Sequence, residues 1–296
     1  PRDARVALAL KTVGGFGVNE IARAFLVSGS AIAQRLVRAR RRLKTGCVLL
    51  AMPDTNELPE RLDAVLEVLY LMFNEGHSAA AGDDLVRAEL CAEAIRLAEL
   101  VAIHPVVGRP RVDALCALFL FQAARIPARM ASGELIPLPL QDRSVWDRRL
   151  MRRALTHQRR SARGEAVTSY HLQAEIAGCH TLAASYEATD WPRILDCYDT
   201  LLQIDNSPVI AINRVVALAE VHGPGAGIQA LSDLKEEGSL DNYYHLYAVE
   251  SELLRRLGHR AEASQALETA MRLVKTSPVR RYLATRALNH VGSTEP

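Results

Sequence analysis

Helix-joining turns near Thr189, Gly223 and Gly258 fall 34 and 35 residues apart. Between them, apolar residues recur every three or four positions, the spacing of one helix face. A period of that length leaves little choice of fold. Each unit is a helical hairpin that cannot bury its apolar face alone, so neighbouring units must stack. The last unit shows the pattern best: Ser251, the turn at Gly258, then Ala263, Leu267 and Ala270 alternating small and bulky packing positions. Glu250 stands where an apolar residue would suit the stack better.

The remainder also reads as helix. Aromatic residues are only 5% of the chain, while Ala, Leu, Arg and Glu abound, a balance that favours helices over sheets. Helices are expected over Arg5 to Val13, closed by Gly14-Gly15, over Val18 to Phe25 and over Ser30 to Lys44. Another starts at Pro59 and stops at Gly76, and one follows with Asp83 as its N-cap. A further helix starts at Pro110 and runs to Ile126. Ser144 and Asp147 have the spacing of a capping box for a helix that contains Trp146, Leu150 and Leu155. The one strand-like alternation, Glu134 to Leu140, carries two prolines and makes a poor strand. The expectation is an all-α protein in four parts: a head at 1–44, a linker at 45–58, a helical domain at 59–169, and degenerate helical hairpins at 170–296. With 296 residues, more than one domain is expected.

The longest apolar run, Ala114 to Phe121, ends at Gln122 and is too short to cross a bilayer. Pro1-Arg2-Asp3 opens onto a charged helical pattern rather than a signal peptide. Cys47, Cys91, Cys116, Cys179 and Cys197 form no C-x-x-C pair, and each fits an apolar helix face as a buried, reduced thiol. A cytoplasmic protein with no membrane partner follows as the expectation.

The net charge of +2 conceals an asymmetry. Residues 1–44 hold ten Lys/Arg against two acids, a local +8, and the remaining residues carry −6. A basic head on a mildly acidic body points to a polyanion at the head. Its pattern is that of a helix-turn-helix. Ala22 supplies the small residue at the close contact, Leu26-Val27-Ser28-Gly29 the breaker, and Ile32, Leu36 and Leu43 the inward positions of the second helix. The opposite face begins at Ser30 and offers Gln34, Arg35 and Arg38, side chains suited to base edges, followed by Arg41 and Arg42, suited to phosphates.

Several motifs resemble one family throughout the chain. Lys-Thr-Val-Gly-Gly-Phe (11–16), Glu-Ile-Ala-Arg-Ala-Phe (20–25) and Ala-Gln-Arg-Leu-Val-Arg-Ala-Arg (33–40) resemble region 4 of extracytoplasmic-function sigma factors of RNA polymerase. Val-Leu-Glu-Val-Leu-Tyr-Leu-Met-Phe-Asn-Glu-Gly (65–76), Gln-Asp-Arg-Ser-Val-Trp (141–146), Tyr-His-Leu-Gln-Ala-Glu-Ile (170–176) and Ala-Ile-Asn-Arg-Val-Val-Ala-Leu (211–218) resemble the subgroup with a long C-terminal tetratricopeptide-like domain. The resemblance implies that the head reads the minus-thirty-five promoter element and contacts the polymerase core. It places Gln34 and Arg38 at DNA-contacting positions, with Arg35 the arginine that commonly accompanies them. Ala31 and Ala33 stand where the family often has Thr and then Lys or Arg. It also implies a preceding region 2, which this sequence lacks, so the chain reads as a fragment.

No HExxH, GxSxG or P-loop is present, so neither catalysis nor a cofactor is expected. His171 and Glu175, four apart with His180 beyond, read as ordinary helix-face residues rather than metal ligands. Asn74-Glu75-Gly76-His77 reads as a helix stop with polar neighbours. Trp146 and Trp191 read as packing residues. Three classes of function remain. The first is a sigma factor whose C-terminal domain regulates it, in cis against the basic head or through a partner protein. The second is a stand-alone helix-turn-helix regulator with a tetratricopeptide-like sensor, and the third is an interaction scaffold.

Overall fold

The computed structural model describes residues 2–25, 27–46, 53–78, 86–131, 133–164, 166–236, 238 and 240–291. Within them the all-α expectation holds: fourteen α-helices and one two-stranded ribbon, Met130–Ala131 with Glu134–Leu135. Three helices make the head: α1 (Arg2–Thr12), α2 (Val18–Ala24) and α3 (Gly29–Thr45). Gly15 follows α1 with φ of 71°, the left-handed backbone that a residue without Cβ adopts freely.

Four helices follow: α4 (Leu58–His77), α5 (Ala88–Ala102), α6 (Pro110–Ala124) and α7 (Arg148–Ser161). The apolar run seen in the sequence is the middle of α6, where Val112 and every residue from Ala114 to Phe121 are buried. A helix apolar on all sides needs neighbours all round, and α4, α5, α7 and α8 (Ser169–Leu182) supply them. Phe73 of α4 stacks on Phe119 of α6 with ring centroids 4.3 Å apart. At the far side of α6, His157 Nδ1 lies 2.6 Å from Asp113 Oδ1, and Arg153 Nη2 donates to Glu99 at 2.6 Å, tying α7 to α6 and α5. One apolar core runs from Val6 and Leu10 of α1 through α4–α6 to Ala174 and Ala177 of α8. Head and body therefore share a core.

The hairpins follow: α8 with α9 (Trp191–Ile204), α10 (Pro208–His222) with α11 (Pro224–Glu236), and α12 (Tyr244–Arg256) with α13 (Arg260–Leu273), then α14 (Ser277–Val291). Two of their turns are set by Gly223 and Gly258, with φ of 89° and 85°. The period also appears as a ladder of polar contacts. Tyr186 and Arg256 both donate to Glu220, from 34 and 36 residues away, and Arg286 donates to Glu252 from 34 residues away. The ladder edges a groove of about 1140 Å³ between α10, α12, α14 and residues 134–140.

Some local expectations are corrected. Gly76 does not stop α4 but lies inside its last turn, where α5 comes so close that a Cβ would meet Cys91 N and Sγ at 2.9 Å. Ser144 does not cap α7. Asp147 does, accepting from the amides of Arg149 and Leu150, while Asp142 accepts from the amide of Ser144 and Trp146 precedes the helix. Leu43 does not face inward; it is 42% exposed, because the head core ends one turn earlier at Leu36. Cys91, Cys116 and Cys197 are buried free thiols and Cys179 is half-buried. Leu26, Cys47, Asp83 and the centre of the expected linker lie outside the described residues. Among the described residues, no helix is long and apolar enough to cross a membrane.

Candidate nucleic-acid interface

The head is built to present α3. Ile21 and Ala22 of α2 and Ile32 and Leu36 of α3 are buried against each other and against Val6, Ala7 and Leu10 of α1. The Glu20 carboxylate accepts from the Gly17 amide and closes the first turn of α2. Ser28 caps α3, its Oγ accepting from the Ala31 amide at 3.2 Å, and the Ser30 hydroxyl lies 3.0 Å from that oxygen. The first turn of α3 is thus fixed by its own cap.

At about 100° per residue, Ser30, Gln34, Arg38 and Arg41 fall within an arc of about 80°. All four are exposed. Arg38 Nε lies 3.4 Å from the Gln34 carbonyl, a weak tie that keeps the guanidinium along the helix. Arg42 is exposed at the edge of the arc. Arg35 departs from the group. It is turned toward the head, half-buried, with its guanidinium carbon 5.5 Å from the Phe25 ring centroid and Nη1 3.3 Å from Asp3 Oδ2. The six expected positions therefore divide into five on the outward side and one that braces α1 against α3.

Val37 was not singled out in the sequence. It is 64% exposed and adjoins Ser30 and Arg41 on the arc. An apolar side chain held outward beside a cation suits a thymine methyl group. The signal was a β-branched residue at an outward position of an otherwise polar face.

The body holds the head from behind. Arg2 Nε donates to Glu67 Oε2 of α4 at 2.6 Å, and Arg87 Nη1 lies 3.4 Å from Glu20 Oε1. Packing in cis thus engages α1 and α2, while the polar arc of α3 points away from it. His171, Glu175 and His180 serve other contacts. Glu175 accepts from Gln158 at 2.9 Å and Arg193 at 3.2 Å, His171 Nδ1 accepts from the Thr168 amide, and His180 packs edge-on to Trp191. Among the described residues, no three His, Cys, Asp or Glu side chains gather as a metal site.

Residues 61–162, α4 to the end of α7, match a family of unknown function, DUF6596. The uncharacterized protein R00370 of Rhizobium meliloti (strain 1021) is 37% identical over 294 residues, covering 99% of this chain and 69% of that protein. The chain belongs to the family of that Rhizobium protein. No solved structure matches it.

Proposed function

We propose that the chain is the promoter-reading and regulatory part of an extracytoplasmic-function sigma factor, acting in the cytoplasm by binding rather than by catalysis. The observation that carries the reading is the exposed arc Ser30–Gln34–Arg38–Arg41, with Arg42 at its edge, on a helix braced by two others. Cations on that arc suit phosphates, and Gln34 and Arg38 suit base edges. The motif resemblance from 11 to 218 supplies the polymerase. In this reading α3 enters the major groove of the minus-thirty-five element, and the remaining head surface meets the polymerase core.

The body is the regulatory part. Since the head shares its core with α4–α6, a regulatory protein seated on the C-terminal hairpins would act through the angle and stability of the head. Covering α3 is not required.

The test joins a sigma region 2 ahead of this chain and measures promoter-specific transcription by purified core polymerase, with the chain alone as control. Transcription only from the joined protein is the expected result. Tight operator binding as a dimer, without any effect on the polymerase, would instead establish a stand-alone helix-turn-helix regulator.

A further inference from the structure

The ends of α4, α6 and α8 meet around Trp146, which is 3% exposed. Arg143 lies over its ring, guanidinium carbon 4.6 Å from the centroid, and Arg125 lies at 5.8 Å. Arg129 reaches the same junction and donates to the His77 carbonyl, the last residue of α4. Arg143 Nη1 donates to the carbonyls of His180 at 2.9 Å and Ala183 at 2.8 Å, at the end of α8. Two guanidinium groups, those of Arg129 and Arg143, thus meet helix C-termini, whose dipoles offset part of their charge, and Arg125 lies beside them near Trp146.

The carbonyls do not satisfy the cluster. Arg125 Nε, Arg143 Nη2 and Trp146 Nε1 are buried with no hydrogen-bond partner, as are His77 Nε2 and His180 Nδ1. The first three are donors in every protonation state. Among the described residues, no ion pair joins a carboxylate to Arg125, Arg129 or Arg143, although the field of the exposed Glu187 carboxylate reaches Arg143 and favours its charged form. Burial and mutual repulsion push the Arg125 pKa down to about 10, and burial does the same to Arg129. Burial, then the neighbouring arginines, likewise disfavours the charged form of His77 and His180. Buried donors and buried charge both cost free energy unless an acceptor meets them. Water would satisfy the donors but would leave the charge in place.

We propose that this junction is a binding site for an oxyanion, a carboxylate or phosphate group, held by Arg125, Arg143 and Trp146 with Arg129 supplying further positive charge. Such a group accepts only, carries the missing charge and fits the fork of a guanidinium. The site lies in the stretch that defines the matched family and is independent of DNA reading by the head.

The experiment titrates the whole chain with sodium phosphate, sodium acetate and sodium chloride at equal ionic strength. It follows thermal unfolding and, in a Trp191→Phe variant, the emission of Trp146. Expected is a saturable change in emission and a Tm gain of about 3 °C or more over chloride, in phosphate for a phosphoryl ligand or in acetate for a carboxylate. Arg125→Gln is expected to abolish that gain and, in chloride, to unfold no earlier than the parent, because it removes an unpaired charge. Equal behaviour of the parent in all three salts would overturn the proposal. So would a response seen only in a Glu187→Gln variant, since the chain would then supply its own counter-ion.

Discussion

Arg35 Nη1 lies 3.3 Å from Asp3 Oδ2, so one of the cations of α3 is held by the first helix of the head. The pair sits at the surface and contributes little by itself. Its effect is positional: the Arg35 side chain runs inward over Phe25 instead of outward with Gln34 and Arg38. Arg35→Ala is therefore expected to leave the salt dependence of DNA binding nearly unchanged. Arg38→Ala and Arg41→Ala are each expected to reduce the slope of log affinity against log salt by about 1. Fluorescence anisotropy on promoter DNA across a salt series measures this. Equal slope losses for all three would show that Arg35 swings out to the phosphates.

Gln34 occupies the middle of the arc, with a side chain that can accept and donate at once to adenine. Gln34→Ala is expected to cost about 1–3 kcal/mol on the preferred site and little on sites altered at the contacted base pair. Competition binding against single-base variants reads the difference. A uniform loss on every site would assign Gln34 to the backbone instead.

Gly76 packs where no side chain fits, 2.9 Å from Cys91 N and Sγ and 3.1 Å from the Arg87 carbonyl as measured from a Cβ built on it. Two of these atoms are backbone and cannot rotate away. Gly76→Ala is expected to force α4 and α5 apart and to cost about 1–3 kcal/mol, more than any gain in helix propensity returns. Urea unfolding of the two proteins gives the value, and a stabilised variant would mean that α5 shifts freely.

That glycine shows where the sequence stops being informative. A glycine near the end of a periodic segment carries the same local signal whether it stops a helix or admits a neighbour. The difference lies in α5, fifteen residues away at Cys91. Gly223 and Gly258 were legible because a left-handed turn is a local property. So was the α3 face, since helical spacing fixes which residues share an arc. The inward turn of Arg35 was not legible, because it depends on Asp3 and Phe25 arriving from other helices. The cluster around Trp146 is the extreme case. His77, Arg125, Arg143 and His180 are spread over more than a hundred positions and meet only because three helices end together.

The same junction sets a pH dependence. Burial, then Arg125 and Arg143, brings the pKa of His180 down to about 3. In the unfolded chain an ordinary histidine titrates near 6.5. Between those values the unfolded chain holds a proton that the folded chain refuses, so stability is complete above about pH 6.5 and falls as pH drops toward 3. His77 is shifted the same way, by burial and then by Arg129 and Arg125. Ordinary carboxylates titrate below about 4.5, so the interval from pH 7 to 5 isolates the histidines. Each fully refused proton gives a slope of at most about 1.4 kcal/mol per pH unit. Urea midpoints of the parent are expected to fall across that interval, and His180→Gln, which cannot take up the proton, is expected to flatten the fall. An unchanged slope in that variant would mean that water reaches His180 and that the junction is open to solvent.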